Sequence, residues 1–141
     1  MKVSIEHLDA HRGDRRVITN ATFTVPSGTV LGLVGPNGSG KSTLLRAIAG
    51  IDTFTAGTVH IGQDNLRELS RRQVAQRIAV MTQEHREEFE IPVLELVLLG
   101  RIPHGKGFGR DSDSDIALAH ESLAQVGALH LSDRPFSQLS G

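Results

Sequence analysis

Residues 30–50 read VLGLVGPNGSGKSTLLRAIAG, and their order decides the fold. Val30, Leu31, Leu33 and Val34 form an apolar run bounded by turn residues and too short to cross a membrane. Such a run predicts a buried parallel strand. Gly35, Pro36, Asn37, Gly38, Ser39, Gly40, Lys41 and Ser42 follow, a full match to G-x-x-x-x-G-K-[ST]. Thr43 comes next, then Leu44, Leu45 and Ile48 at helical spacing. Strand, glycine-rich loop and helix start therefore stand in the order of an α/β core with a phosphate-binding loop.

Each residue type has a physical reason. Glycines let successive backbone N–H groups turn inward and form an anion nest with no Cβ in the way. The nest leads into a helix N-terminus, where unpaired N–H groups and the macrodipole favour negative charge. Lys41 is expected to reach the β- and γ-phosphates of a nucleotide, and the Ser42 hydroxyl to ligate Mg²⁺. A glycine-rich turn before an ordinary helix would explain the glycines, but not the lysine and serine at fixed spacing behind them.

Working outward, Val3, Ile5 and His7 alternate with polar residues and predict a first strand. Residues 16–18 and 21–25 read as two further strands, closed by a turn at Pro26, Ser27 and Gly28. Together they suggest an antiparallel β-layer beside the nucleotide strand. Residues 56–62 (AGTVHIG) read as another short strand. Residues 66–75 carry mixed charges at helical spacing, and residues 78–81 (IAVM) read as a buried strand that leads to Gln83. From Asp113 the period changes to that of a helix marked by Ile116, Leu118, Ala119, Leu123 and Val126, with Gly127 as its C-cap.

Composition narrows the class. The 141 residues suffice for one domain, and 15 basic against 16 acidic side chains give no signal for a nucleic-acid partner. The absence of cysteine excludes disulfides and thiolate metal sites and suits a reducing compartment. The N-terminus has no apolar stretch of the signal-peptide kind, and no 18-residue window is apolar enough for a membrane span. A soluble cytoplasmic chain is the expectation.

These residues carry a resemblance. Across essentially its whole length the sequence resembles the N-terminal part of an ATP-binding cassette (ABC) ATPase. The matches run in order: the β-strand opening, PSGTVLGLVGPNGSGKSTLLRAIAG, AGTVHIGQ, MTQ ending at Gln83, and Leu139-Ser140-Gly141. A finer match lies at residues 95–104, where a valine- and leucine-rich helix followed by Gly-Arg-x-Pro-His resembles importers of iron–siderophore, haem and cobalamin. The local alternative for that stretch is a helix end at Gly100 followed by a proline turn.

The resemblance implies a P-loop NTPase core with an N-terminal antiparallel β-layer (residues 1–83), then a Q-loop and the start of a helical subdomain (residues 84–141). It implies ATP and Mg²⁺ as ligands. Backbone from Asn37 to Thr43 would wrap the phosphates, Lys41 would neutralise them, Ser42 and Gln83 would hold Mg²⁺, and Gln83 would position the attacking water. Ser140 and Gly141 would cap the γ-phosphate held by a second ATPase subunit in a head-to-tail dimer. Transmembrane permease subunits would be the docking partners and an extracytoplasmic binding protein an indirect one, with the ATPase peripheral on the inner face of the membrane. Family members stack adenine on an aromatic residue near the end of the first strand. This chain has no tyrosine or tryptophan, and His11-Arg12-Gly13 falls there: the Arg12 guanidinium or the His11 imidazole could stack on a base, a charged β-turn is the alternative, and weak base discrimination is expected.

The resemblance also implies that the strand ending in Asp-Glu, with its general base, lies beyond Gly141. The stretch alone is expected to hydrolyse little ATP. Residues 111–115 (DSDSD) imitate the start of a calcium loop, but Ile116 stands where glycine must turn and Ser122 where a glutamate is needed. A helix cap is the better reading. His104, His120 and His130 lack metal-ligand spacing. The 84–90 stretch, EHREEFE, reads as solvated loop or as permease contact. Two readings remain at this level: a transport-coupled ATPase, or a soluble ABC-type ATPase acting as a mechanical switch. An unrelated P-loop kinase or GTPase would need an acceptor site or a guanine-reading Asn-Lys-x-Asp, and the chain shows neither.

Overall fold

The computed structural model describes residues 1–81, 90–105 and 111–139. They belong to two compact units, Met1–Val80 and Met81–Gly141.

The first unit is built on an antiparallel sheet of order β2-β1-β3-β4, with β1 at Val3–Arg12, β2 at Arg15–Val25, β3 at Ala56–Ile61 and β4 at Asp64–Asn65. β1 and β2 are joined by Gly13 and Asp14 alone, and Gly13 supplies the positive φ (59°) that a two-residue hairpin turn requires. Helix α1, Lys41–Ile48, lies on this sheet. Its Leu44 and Ala47 join Ile5, Leu8, Val59, Ile61 and Leu66 in one buried apolar cluster. Apolar area removed from water in this cluster is the main force holding helix to sheet.

The alternation expected along β1 slips at one residue. Pairing with β2 jumps from Ile5↔Phe23 to Leu8↔Ala21, so β1 carries an extra residue there. His7 takes it up with φ 52°, and its N–H donates to Thr22 Oγ1 at 2.9 Å. His7 is therefore exposed, and Leu8 and Ala10 take the core positions. The two strands expected over 16–18 and 21–25 are one strand, distorted at Asn20 (φ 52°).

Residues 66–75, expected as one helical stretch, are two pieces. A 3₁₀ turn spans Leu66–Glu68, Leu69 is extended, and α2 begins afresh at Arg71–Ala75. Ser70 and Gln73 explain the restart. Ser70 Oγ accepts the Gln73 N–H, and Gln73 Oε1 accepts the Ser70 N–H at 2.9 Å, a capping box.

The two buried strands expected before and after α1 do not form among the described residues. Residues 30–34 and 78–81 have no ladder partner, Val30 is 100% exposed, Val34 95% and Met81 89%. Only Leu33 and Ile78 turn toward the core cluster. A strand exists through the hydrogen bonds its neighbours supply, and apolar composition alone does not provide them. The sheet present here is antiparallel throughout.

The second unit pairs α3, Val93–Leu99, with α4, Asp113–Gln125, burying Val93, Leu98, Ala119 and Leu123. The start of α3 is tied to the segment after α4: Val93 N–H donates to Arg134 O and Leu94 N–H to Ser132 O, both at 3.0 Å. Two of the helix's orphan donors are thereby satisfied. Gly127 (φ 71°) ends α4 as expected. Its N–H bonds Ala124 O, and Ala128 N–H bonds Leu123 O, the double bond of a Schellman cap. Gly100 instead keeps a right-handed φ of −63°, and a 3₁₀ turn, Ile102–His104, follows α3 at once. Among the described residues no helix is long and apolar enough to cross a membrane.

Candidate functional site

The loop predicted to bind phosphate connects the exposed 30–34 segment to α1. Ser39 N–H donates to Pro36 O at 3.3 Å and forms its turn. Gly40 ends the loop in the left-handed region (φ 94°), and its carbonyl accepts the Leu44 N–H at 2.8 Å, the first bond of α1. The amides of Lys41, Ser42 and Thr43 fall in the first turn, which has no intrahelical acceptor for them. No side chain caps this end, and no acidic residue stands in the first turn. The positive end of the helix is thus left for an anion.

Gly40 is glycine for two reasons. Its φ is one that side-chain-bearing residues rarely adopt, and a Cβ there would lie 2.7 Å from Ile18 Cδ1 and 3.1 Å from Val17 O. β2 is therefore the wall against which the loop turns. Nothing in the sequence singled out Val17 and Ile18, because the apolar pattern marks them only as strand.

Lys41 is half-buried and folds its ammonium back onto the loop, donating to Gly35 O at 2.7 Å and Pro36 O at 2.9 Å. Gly35, Pro36, Asn37, Gly38, Ser39 and Ser42 are exposed, and Thr43 is half-buried. A charge held inside a glycine-rich loop, beside free helix-end amides, suits a polyphosphate. The donor set also suits a hard cation at Ser42, whose exposed hydroxyl lies in the first turn of α1.

Arg12 is exposed at the end of β1 and pairs across the hairpin with Arg15. Beside it, His11 Nδ1 lies 3.2 Å from Thr55 Oγ1. Asp52 is held below the ordinary carboxylate range, first by Arg46, which donates through Nε at 2.7 Å and through a terminal nitrogen at 2.9 Å, with Arg12 adding a smaller charge effect. Gln83, Ser140 and Gly141, and the 84–89 part of the acidic stretch, lie outside the described residues.

The Asp-Ser cluster caps α4. Ser112 Oγ accepts the Asp115 N–H at 3.2 Å and donates to Asp115 Oδ2 at 2.6 Å. Asp115 in turn binds Arg101 Nε at 2.7 Å. The Gly-Arg-x-Pro-His turn is thus pinned to the start of α4, a link between residues 14 apart for which the sequence offered no signal.

A family model described as ABC transporter matches residues 18–141. The chain is 37% identical over 141 residues to the cobalamin import ATP-binding protein BtuD of Halobacterium salinarum, covering all of this chain and 35% of that protein. It is 34% identical over 139 residues to the iron(3+)-hydroxamate import ATP-binding protein FhuC of Bacillus subtilis, covering 99% of this chain and 52% of that one. It is 36% identical over 141 residues to the hemin import ATP-binding protein HmuV of Bordetella bronchiseptica, covering all of this chain and 53% of that protein. The chain therefore spans between a third and about half the length of these relatives. Among solved structures it is similar to a nucleotide-free ATP-binding cassette from an ABC transporter, with a TM-score of 0.85 at 26% identity over 99% of this chain and 60% of that one. It is also similar to the ADP conformation of an ATP-binding cassette of an ABC transporter, with a TM-score of 0.81 at 26% identity over 100% of this chain and 60% of that one. With the family model covering most of the chain and its architecture matching those cassettes, the chain belongs to the ABC transporter family.

Proposed function

We propose that this chain is the nucleotide-gripping part of an ATP-binding subunit that couples ATP binding and hydrolysis to membrane import of a metal chelate of the iron–siderophore, haem or cobalamin type. The observation that carries the reading is the loop from Gly35 to Thr43, with the Lys41 ammonium folded onto its carbonyls and uncapped helix amides behind it. The three relatives named as cobalamin, hydroxamate and hemin import proteins support the cargo class.

In this reading the amides from Asn37 to Thr43 hold the phosphates and Lys41 draws charge from the β- and γ-groups. Ser42 and Gln83 hold Mg²⁺, which supplies neutralisation of phosphate charge when bound. Gln83 also positions the attacking water. Arg12 lies flat on the base, in place of an aromatic ring. Ser140 and Gly141 serve the nucleotide of a second subunit in a head-to-tail dimer. Residues 1–83 form the nucleotide half and residues 84–141 the half that faces transmembrane permease subunits, with the ATPase peripheral on the cytoplasmic face and an extracytoplasmic protein delivering cargo.

Reconstitution in vesicles tests this. The full-length polypeptide that carries this chain, assembled with its permease, should accumulate a metal chelate only when Mg-ATP is supplied. Co-purification with a soluble partner and no chelate uptake would favour the mechanical-switch reading instead.

A further inference from the structure

One carboxylate in β1 brackets the part of β2 that backs the phosphate loop. Asp9 Oδ2 binds Arg16 at 2.5 Å, and Asp9 Oδ1 accepts the Asn20 N–H at 2.7 Å. Between those two anchors lie Val17, Ile18 and Thr19. Val17 O and Ile18 Cδ1 are the atoms that a Cβ at Gly40 would meet.

The pairing pattern shows why a bracket is needed. Leu8 pairs with Ala21, Ala10 with Ile18 and His11 with Arg16, so β2 carries an extra residue on each side of Ile18. A ladder interrupted on both sides holds a strand poorly in register, and Asn20 (φ 52°) adds a backbone conformation that is rare for a residue other than glycine. The single carboxylate takes a backbone donor, the Asn20 N–H, at one end of the interruption and holds the Arg16 guanidinium at the other. Its pKa is held below the ordinary value by the Arg16 hydrogen bond first and the Asn20 amide second, in keeping with a charged clamp.

We infer that Asp9 is a positioning residue for the phosphate-binding loop: by clamping Arg16 and Asn20 it sets the Val17–Ile18 wall, which fixes the left-handed turn at Gly40 and so aims the first amides of α1. The inference rests on the nucleotide reading for its purpose and on Asp9, Ile18 and Gly40 for its geometry. The Asp9 carboxylate bonds Arg16 and Asn20 on β2. It acts through two intermediates, as a support held on a sheet.

The test separates the clamp from nucleotide binding. Amide exchange in the nucleotide-free chain reads the loop through Leu44 N–H, which bonds Gly40 O, and reads the sheet through Val59 at its centre. Asp9→Ala should speed Leu44 exchange about tenfold while leaving Val59 within about twofold of wild type. It should also raise the Kd for Mg-ATP about tenfold, whereas Asp9→Asn, which keeps an acceptor for the Asn20 N–H but loses the charge that holds Arg16, should recover only part of both losses. Ile18→Val, which removes only the Cδ1 methyl facing Gly40, should move Leu44 in the same direction and covers the case in which Asp9→Ala does not fold. Unchanged Leu44 exchange in both variants, or a rise at Val59 in step with Leu44, overturns the inference. A responsive Leu44 in a chain that takes up no Mg-ATP supports the clamp and overturns the nucleotide reading.

Discussion

Lys41 Nζ donates to Gly35 O at 2.7 Å, closing the first and last parts of the loop on each other. With a second bond to Pro36 O at 2.9 Å, the ammonium satisfies two of its three donors on the main chain of the loop it serves. A phosphate competes with two neutral carbonyls for that ammonium, and charge-assisted bonds to anions are about twice as strong as neutral ones.

Lys41→Ala removes this cation and leaves the amides. Loss of a charge-assisted bond of about 1.5–3 kcal/mol raises the Kd for Mg-ATP roughly ten- to a hundredfold. Displacement of a fluorescent nucleotide, with far-UV circular dichroism as the folding control, measures it. Lys41→Arg should recover only part, because a guanidinium is planar and larger than the loop's two carbonyl contacts require.

Gly40→Ala places a methyl 2.7 Å from Ile18 Cδ1 on a backbone with φ 94°. Left-handed strain for a residue other than glycine is about 1–3 kcal/mol, so urea unfolding of the first unit should move to lower concentration. Ile18→Val in the same background removes the Cδ1 contact but not the strain, so the loss in the double variant should be smaller than the sum of the two single losses.

How far the chain's architecture could be read beforehand depends on whether a local pattern or a distant partner decides each element. A helix behind the glycine-rich loop and the Gly127 cap of α4 rest on local patterns, and both were anticipated, although α1 begins at Lys41, ahead of the apolar residues that marked it. β1 began correctly at Val3 and then went wrong at His7, because a bulge moved Leu8 and Ala10 into the core. Residues 30–34 had the composition of a buried strand, yet pairing belongs to a neighbour and cannot be read from one segment. At the candidate site, the loop and its lysine were evident from spacing. The supporting contacts of Asp9, Ile18 and Asp115 join residues far apart in sequence, and no spacing rule announces them.

Arg46 and Asp52 give a pH signature. In the folded chain Asp52 is held below the ordinary carboxylate range, mainly through the Arg46 hydrogen bonds. A depressed carboxylate contributes stability that is present above the unfolded pKa and is lost as pH falls through the folded one. Both side chains are more than a third exposed, so solvent screening keeps the contribution of the pair small. Wild type should therefore have a higher denaturation midpoint than Asp52→Asn at pH 7, and the gap should close below about pH 4. A gap that persists unchanged at pH 3 would assign the stabilisation to something other than the ion pair.

Ser112→Ala tests the reading of the Asp-Ser cluster as a helix cap. It removes the acceptor for Asp115 N–H and the donor to Asp115 Oδ2, and a lost N-cap costs about 1 kcal/mol. Thermal unfolding followed by circular dichroism should show the loss with or without calcium. Stabilisation of the wild type by millimolar calcium, absent in Ser112→Ala, would restore the ion-binding alternative.

The most direct measurement is calorimetric titration of the folded chain with Mg-ATP, run beside Lys41→Ala. Saturable heat from wild type, sharply weakened in the variant, is the expected result. Equal heats from both proteins, or none from a wild type shown to be folded, would mean that the loop between Gly35 and Thr43 does not grip a triphosphate.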